Sequence, residues 1–350
     1  MIETILRSAV KAGASDVHLQ AGSPPLFRVN TVIQSSGGAA VTANDCHDIA
    51  KILLGEHRWS EFNSARDADF SYEIKGLARF RVNAHFQRQT VALAIRIVND
   101  RVRSLGELFL PDIVTRLTTL PRGLVLVTGP AGSGKSTTLA GMIDEINRRD
   151  HGHIVTLEDP IEYVLTGVNS AIEQREVGSD VPDFAGGLRH VLRQDPDVIF
   201  LGEMRDLETT SAAITAAETG HLVLSTLHTV NASQTVERII DIYPPNQQAQ
   251  IRSMLANSLQ AVISQTLLPR CDEPGMIPAA EIMICNQPVK SCIRENRVFE
   301  IPNVIETSRA IGMQSLDHSI QQLCRNGYIT RQTAIAHAAQ PEKLERTLAA

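Results

Sequence analysis

The chain has 350 residues, of which 43% are hydrophobic and 21% are charged, so it is long enough to form two domains with cores of their own. A formal net charge of -6 gives no basic footprint for nucleic acid, and no stretch approaches the roughly 18 apolar residues of a membrane span, so we expect neither a nucleic-acid partner nor direct membrane insertion. The five cysteines are scattered and include no C-x-x-C pair, which argues against a zinc ribbon or a disulfide framework and indicates a reducing, cytoplasmic compartment.

The first hundred residues combine helical and strand patterns. Charged side chains at Glu3, Arg7 and Lys11 interrupt the apolar residues of the N-terminus, so it is predicted to be an amphipathic helix (residues 2–10) and not a signal peptide. A second helix is predicted at 44–62. Strict alternation of apolar and polar residues predicts half-buried strands at 78–86 and 91–97. Residues 1–100 are therefore predicted to form a small α+β domain, followed by a linker with a short helix at 101–122.

From residue 123 the pattern changes to an alternation of strands and helices. Continuous apolar runs at 124–127, 154–157, 198–201 and 222–227 are separated by helical patterns, which is typical of a parallel sheet buried on both faces. After residue 246 the chain is predicted to be mostly helical to its end. The predicted fold class is therefore α/β, with the second domain at 123–350.

Residues 129–136 match the phosphate-binding pattern G-x-x-x-x-G-K-[ST] in full, between a predicted strand and a predicted helix. The glycines allow successive backbone N–H groups to point into one concavity, and the helix N-terminus adds its partial positive charge. Lys135 is expected to reach the β- and γ-phosphates, and Ser136 to ligate Mg²⁺. We predict an ATP site whose binding residues are Gly129, Pro130, Ala131, Gly132, Ser133, Gly134, Lys135, Ser136 and Thr137.

Two predicted strands of this sheet end in acidic residues. The strand at 154–157 runs into the cluster 158–162, which ends at Glu162, and the strand at 198–201 runs into Glu203. Because ligands of open parallel sheets bind beyond the carboxyl ends of the strands, both clusters are predicted near the phosphate loop. One carboxylate would lie near Mg²⁺ and another could orient the attacking water. The alternative is that these acids cap helices or pair with arginines.

Two histidines bracket the strand at 222–227. His221 precedes this strand and His228 follows it. A histidine at the end of a strand would suit a sensor of the γ-phosphate, although a simple turn residue is the alternative. The spacing does not resemble that of a metal site.

Arginines form a further group of candidates. Arg189 and Arg193 are four residues apart on a helix predicted at 184–194, where like charges repel, so a shared anion would account for them. The alternative is an ion pair with Glu176 or Asp195. Arg79, Arg81 and Arg96 project from the polar faces of predicted strands. In an oligomer they could reach a neighbour's nucleotide as arginine fingers, or they could be plain solvated side chains.

These motifs together resemble the secretion ATPases that drive type II secretion and type IV pili, and within them the ATPases that retract type IV pili. The likeness covers nearly the whole chain. The segments that carry it are, in chain order, ASDVHL at 14–19, ARFRVN at 78–83, PRGLVLVTGP at 121–130, LEDPIE at 157–162, QREV at 174–177, DPDV at 195–198, GEMRDLET at 202–209, AETGH at 217–221 and TLHT at 226–229.

The resemblance implies a PAS-like N-terminal domain joined to a RecA-like ATPase domain, assembled as a homo-hexameric ring with nucleotide between the two domains. It implies that Glu162 polarises the attacking water and that Glu203 is the Walker-B glutamate near Mg²⁺. It also implies that both bracketing histidines belong to the family's His box. Arg81 and Arg96 lie where the family supplies arginines to the nucleotide site.

Two further features bear on the branch of the family. Extension and type II secretion ATPases usually carry a four-cysteine zinc module and an extra N-terminal domain, and the sequence shows neither, which favours the retraction branch. Retraction ATPases carry a helix similar to Ala-Ile-Arg-Asn-Leu-Ile-Arg near the C-terminus. Here the matching stretch at 288–294 reads PVKSCIR, which keeps only Ile293 and Arg294.

The expected function is a hexameric Mg-ATPase that acts on an inner-membrane platform protein and removes pilin subunits at the pilus base, as a cytoplasmic protein peripheral to the inner membrane. One alternative is an accessory ring subunit that modulates a principal, paralogous retraction ATPase. A second is a RecA-like motor dependent on nucleic acid, which the acidic charge balance disfavours.

Overall fold

The computed structural model describes residues 1–29, 32–98 and 101–349. Contacts within it divide the chain into two compact units. The first comprises the described residues of 1–101 together with 160–164, and the second comprises 102–159 together with 165–349. The segment 160–164 therefore belongs to the first unit, although both of its flanks belong to the second.

The first unit is built on a six-stranded antiparallel sheet in the order β3-β2-β1-β6-β5-β4. Its core contains apolar side chains from the sheet and from two helices, which matches the predicted α+β character. The elements are α1 (Ile2–Lys11), β1 (Asp16–Leu19), β2 (Leu26–Val29), β3 (Val32–Ser35), α2 (Ala43–Ala65), β4 (Asp67–Ile74), β5 (Ala78–Gln87) and β6 (Thr90–Val98).

Local signals account for where α2 begins and ends. The hydroxyl of Thr42 accepts a hydrogen bond from the backbone N–H of Asp45, whose carboxylate accepts one from the N–H of Thr42, forming a capping box. Gly55, at φ 71 and ψ 170, interrupts the helix, and Arg66 ends it in the left-handed region at φ 68. The predicted helix at 44–62 is therefore present but divided by a kink.

The second unit is built on a seven-stranded sheet in the order β13-β12-β7-β11-β10-β8-β9. All neighbouring pairs are parallel except β12 and β13. The four predicted strands are confirmed, and β7 is buried along its whole length. The strands are β7 (Gly123–Thr128), β8 (His153–Glu158), β9 (Ala171–Glu176), β10 (Val198–Leu201), β11 (Leu222–Leu227), β12 (Leu259–Pro269) and β13 (Met276–Ile284).

Helices cover this sheet on both faces, so the predicted α/β class is confirmed. Separate apolar clusters lie on the two sides of the strands. No helix of the described chain is both long and apolar enough to cross a membrane. The helices are α3 (Asp112–Leu117), α4 (Lys135–Arg149), α5 (Phe184–Val191), α6 (Leu207–Glu218), α7 (Ala232–Asp241), α8 (Gln248–Ser258), α9 (Gln287–Arg294), α10 (Ile301–Thr307), α11 (Leu316–Arg325), α12 (Arg331–His337) and α13 (Pro341–Ala349).

Two expectations about elements are revised. The region after residue 246 is mostly helical as predicted, but it also contains β12 and β13, which form a long antiparallel hairpin that extends the sheet beyond β7. The segment 102–122, expected to be a linker, packs into the second unit. Its apolar side chains Leu105, Leu108 and Val114 join those of α4 and β7 in one buried cluster.

Candidate functional site

The phosphate-binding loop leaves β7 at the carboxyl edge of the second unit's sheet and enters α4. Three of its glycines have positive φ: Gly129 at 144, Gly132 at 76 and Gly134 at 87. Side chains other than glycine rarely adopt this region without strain. A Cβ at Gly129 would also overlap the backbone oxygen of Gln265 on β12. Glycine is therefore required at Gly129 by conformation and by close approach to the neighbouring strand.

Lys135 opens α4 and is only 8% exposed. Its Nζ donates hydrogen bonds to the carbonyl oxygens of Gly129 (2.9 Å) and Pro130 (3.0 Å). A charged ammonium group needs such partners when it is buried. The lysine therefore lies within the concavity of the loop, where its charge would attract phosphate.

Ser133 supplies an independent indication of a ligand. Its hydroxyl is buried and has no hydrogen-bond partner among the described residues. Buried polar atoms are nearly always paired, so an unpaired one next to an anion-binding loop suggests a missing partner. Ser136 and Thr137 follow in the first turn of α4 and are half-buried. The loop thus fits the phosphates of a nucleotide.

Glu203 and His228 meet at the same edge of the sheet. Glu203 follows β10, His228 follows β11, and β11 lies between β10 and β7. The Oε1 of Glu203 lies 3.3 Å from Nε2 of His228, and its Oε2 lies 2.8 Å from the Arg205 guanidinium. The hydroxyl of Thr226 in β11 donates to the carbonyl of Gly202 (2.6 Å), which joins the segment after β10 to the end of β11.

Arg205 lies within the segment 202–209, but no sequence pattern predicts a role for it. The hydrogen bond from its guanidinium to Glu203, together with the attraction between the two charges, raises the pKa of Arg205. Its side chain is 67% exposed, whereas that of Glu203 is 16% exposed. Arg205 therefore pairs with the carboxylate of Glu203 on the side that faces the solvent.

Glu158, the last residue of β8, is a second buried carboxylate at this edge. It accepts hydrogen bonds from the hydroxyl of Thr156 (2.6 Å) and the amide of Gln174 on β9 (3.0 Å). These partners satisfy the carboxylate within the sheet. Glu158 is thus the member of the acidic cluster that stays with the second unit's sheet.

His221 is not near the phosphate loop of its own chain, whereas His228 follows β11 at the end of the strand where that loop lies. It precedes β11, and its carbonyl accepts a hydrogen bond from Gly123, the first residue of β7. The phosphate loop lies at the other end of β7, about 20 Å away for a six-residue strand. Its Nδ1 lies 3.0 Å from the carbonyl of Ala216, which is the contact of a turn residue.

The two arginines after β9 are exposed and separate. Arg189 on α5 pairs with Glu208 on α6 at 3.5 Å, a partner that the sequence did not predict. The helix ends at Val191, so Arg193 lies in the following turn and not four residues along the same helix. Beyond this turn Asp195 has a φ of 55 and Pro196 follows, so the helix does not resume.

The first unit brings together three other candidates. Arg81 on β5, Arg96 on β6 and Glu162 line one cavity of about 170 Å³, together with Tyr163. The two arginines are direct partners across the antiparallel pair. Like charges directly opposite each other are unfavourable, so this pair is suited to an anionic partner.

Arg96 has such a partner within the unit. Its Nε lies 3.0 Å from the carboxylate of Asp16 on β1. Burial raises the pKa of Asp16, but hydrogen bonds from Ser15 and Arg96 outweigh this effect, so the net pKa is lowered. Arg96 is thus held by Asp16 beside the cavity, with 68% of its side chain exposed.

No group of three or more His, Cys, Asp or Glu side chains within residues 1–29, 32–98 and 101–349 is arranged to hold a metal by itself. Mg²⁺ in nucleotide sites is usually held by one or two protein groups together with phosphate oxygens and water. Ser136 and Glu203 are of the types expected for such a site.

The chain matches known proteins over nearly its whole length. A family profile described as "Type II/IV secretion system protein" matches residues 1–345. The chain is 43% identical to the type IV pilus retraction ATPase PilT of Pseudomonas aeruginosa, over 97% of this chain and 99% of that protein. It is 37% identical to the type IV pilus ATPase PilU of the same organism, over 96% of this chain and 88% of that protein.

A solved structure extends this similarity to the fold. The crystal structure of the pilus retraction motor PilT with bound ADP superposes with a TM-score of 0.92 at 42% sequence identity, covering 99% of both chains. The sequence match and the fold agree. This chain therefore belongs to the family of type II/IV secretion system proteins.

Proposed function

We propose that this chain is a Mg-ATP-hydrolysing motor that powers type IV pilus retraction and twitching motility. The observation that carries the proposal is the phosphate loop, complete in sequence and folded against β12, with Glu203 and His228 at the same edge of the sheet. The 43% identity to PilT over 97% of the chain supports the retraction part.

The residues of the second unit have distinct roles in this proposal. Bound Mg-ATP would supply the γ-phosphoryl group and the cation that neutralises its charge. Lys135 would exchange its carbonyl contacts for phosphate oxygens, and Ser136 and Glu203 would hold the cation directly or through water. His228, in contact with Glu203, would report the state of that carboxylate to β11.

The first unit contributes the remaining groups. Glu162 would polarise the attacking water, and Arg81 and Arg96 would supply positive charge to phosphate, since all three line one cavity of that unit. Arg189 and Arg193 are exposed on the second unit, so we propose that they contact nucleotide at a boundary between copies of the chain. Any role of His221 would also belong to such a boundary.

The assembly would be a homo-hexameric ring at the inner membrane, beneath the pilus base. Hydrolysis would change the arrangement of copies in this ring and act on an inner-membrane platform protein. We propose this arrangement from the resemblance to the family.

A second candidate is an accessory ring subunit that works with a paralogous retraction ATPase. Two observations favour it as the alternative. The chain is also 37% identical to PilU, and α9 keeps only Ile293 and Arg294 of the expected helix motif. In α9 Val289, Cys292 and Ile293 are buried, and of these only Ile293 matches the motif, so the changed residues include buried positions of the helix.

The test is retraction of fluorescently labelled pili in cells that lack this protein, complemented with wild type, with Glu203→Gln or with the control Glu218→Gln. Glu218 is an exposed acid at the end of α6. We expect wild type and Glu218→Gln to restore retraction and Glu203→Gln to fail, because the neutral amide cannot serve the cation. Undisturbed retraction in the deletion strain would favour the accessory role.

A companion assay measures ATP hydrolysis by the purified full chain. We expect Glu203→Gln to lower kcat by about a hundredfold or more, the scale of losing one group that stabilises charge in the transition state. Addition of DNA or RNA should leave the rate unchanged. A strong stimulation by nucleic acid would instead favour the RecA-like nucleic-acid motor.

A further inference from the structure

Gln265 on β12 lies beside the phosphate loop, although no sequence motif marks it. β12 is parallel to β7, and Ser264 is in register with Thr128, the last residue of β7. The hydroxyls of these two residues are hydrogen-bonded at 2.8 Å. Gln265 is therefore level with Gly129, where the loop begins.

The side chain of Gln265 joins the end of the loop to α4. Its Nε2 donates to the carbonyl oxygen of Ser133 (2.6 Å), and its Oε1 accepts from the hydroxyl of Thr138 (2.9 Å). The residue is 3% exposed. A Cβ at Gly134 would approach Nε2 of Gln265 to 3.0 Å, so the amide also fills the space that this glycine leaves open.

The two hydrogen bonds require the chemistry of an amide. A neutral amide offers a donor and an acceptor at one planar group, which matches the Ser133 carbonyl and the Thr138 hydroxyl. A glutamate in its place would set a carboxylate against the Ser133 carbonyl. A leucine would leave the carbonyl and the hydroxyl buried without a partner, and unpaired buried groups are costly.

We propose that Gln265 is a positioning residue that holds the phosphate loop in its anion-binding conformation before nucleotide arrives. Binding to a loop that is already ordered avoids the entropic cost of ordering it, so the affinity for nucleotide is higher. The proposal rests on the proposed function, because it takes the anion bound by the loop to be the phosphate chain of a nucleotide. Gln265 itself contacts the loop and not the reacting atoms.

The same strand offers a matched control. Gln260 is also on β12, but its side chain packs against Gly123, at the start of β7 and away from the phosphate loop. A Gln260→Leu substitution makes the same chemical change on the same strand. Any general effect of disturbing β12 should therefore appear in both variants.

The experiment compares full-length wild type, Gln265→Leu and Gln260→Leu. Binding of a fluorescent ADP analogue and of Mg-ATP gives Kd, steady-state hydrolysis gives KM and kcat, and hydrogen exchange without nucleotide follows residues 129–136. We expect Gln265→Leu to raise Kd and KM about tenfold, which equals about 1.4 kcal/mol. Its kcat should stay within about twofold of wild type, because the lost interaction stabilises bound substrate and transition state equally. Hydrogen exchange in the loop should be faster.

Thr138 provides a second variant if Gln265→Leu does not fold. Thr138→Val removes the donor to Gln265 while keeping the shape of the side chain, and Thr138→Ser keeps the hydroxyl. We expect the valine variant to weaken nucleotide binding in the same direction and the serine variant to restore it. Equal affinity in the two variants would contradict the proposal.

The outcomes separate this inference from the proposed function. If wild type binds no nucleotide, the proposed function fails. If wild type and Gln260→Leu bind nucleotide and Gln265→Leu binds it equally well, with only a lower melting temperature, Gln265 is a core residue and the inference is wrong. Faster exchange at 129–136 together with raised Kd would support it.

Discussion

Glu281 on β13 is a partly buried carboxylate outside the motifs. Its Oε1 accepts a hydrogen bond from the backbone N–H of Ala232 (2.8 Å), the first residue of α7. Burial raises the pKa of Glu281 above its ordinary value of 4.5, the charge of Asp317 adds to this, and the bond from Ala232 opposes it. The folded chain therefore holds the proton of Glu281 more tightly than the unfolded chain.

This shift predicts how stability depends on pH. The contribution of Glu281 to the free energy of unfolding is fully present below the pKa that Glu281 has in the unfolded chain. It is lost as pH rises through the raised pKa of the folded chain. The amide of the Glu281→Gln variant does not titrate. The free energy of unfolding of this variant should therefore increase relative to that of wild type as pH rises from about 4.5 towards neutral. Urea unfolding at several pH values measures the difference. The exposed Glu237→Gln on α7 is the control, and a difference independent of pH would contradict the argument.

The sequence predicted the residues that form motifs better than the residues that hold those motifs in place. The phosphate loop was identifiable because glycine, lysine and serine have fixed spacing. Gln265 and Glu281 were missed because neither belongs to a recognisable motif, and their partners are distant in sequence. The alignment of β12 with β7, which brings Gln265 to the loop, cannot be read from either strand alone.

Among the helices, α9 is stabilised by a side-chain cap at its first turn. Asn286 precedes the helix, and its Oδ1 accepts a hydrogen bond from the N–H of Val289 (3.1 Å). Asn286→Ala should lower the free energy of unfolding by about 1 kcal/mol, because a first-turn N–H loses its partner. Asn286→Ser should retain most of it. Chemical denaturation followed by circular dichroism measures this.

A second asparagine gives the control for this cap. Asn303 is exposed within α10, and no hydrogen bond of its side chain is found among the described residues. Asn303→Ala should change stability little or increase it slightly, since alanine favours helix. Equal losses in both alanine variants would show that the cap of α9 contributes nothing specific.

The strands of the second unit that were predicted correctly share one property, which β12 and β13 lack. β7, β8, β10 and β11 are short apolar runs between turn signals. β12 and β13 are longer and mix polar residues into apolar runs, with no strict alternation, because one edge of the hairpin pairs with β7 while its faces are both covered. Such runs cannot be assigned to helix or strand by periodicity. The pairing between strands decides the outcome.

On the scale of the whole molecule, the two units have separate cores. The apolar cluster of the first unit shares no residue with those of the second. Phe80, fully buried in the first unit, should lower that unit's stability by about 3–5 kcal/mol when changed to alanine. Hydrogen exchange followed by mass spectrometry should show faster exchange in β5 and β6 and unchanged exchange in β7 and β11.

The control for this substitution is Ile52→Ala, since Ile52 is 66% exposed in the same unit. It should leave exchange in both units unchanged. Loss of protection in β7 and β11 together with β5 in Phe80→Ala would mean that the two units unfold as one cooperative body, and the division into separate cores would then not describe the energetics.

The return of residues 160–164 to the first unit also affects the order in which the protein can be completed during synthesis. At about 5–20 residues per second, residue 164 is added roughly 3–13 s after residue 101. A nascent chain stalled between those points carries most of the first unit without its last segment. Glu162 is part of that segment. Its carboxylate therefore joins the first unit only after the ribosome has begun to translate the sheet of the second unit.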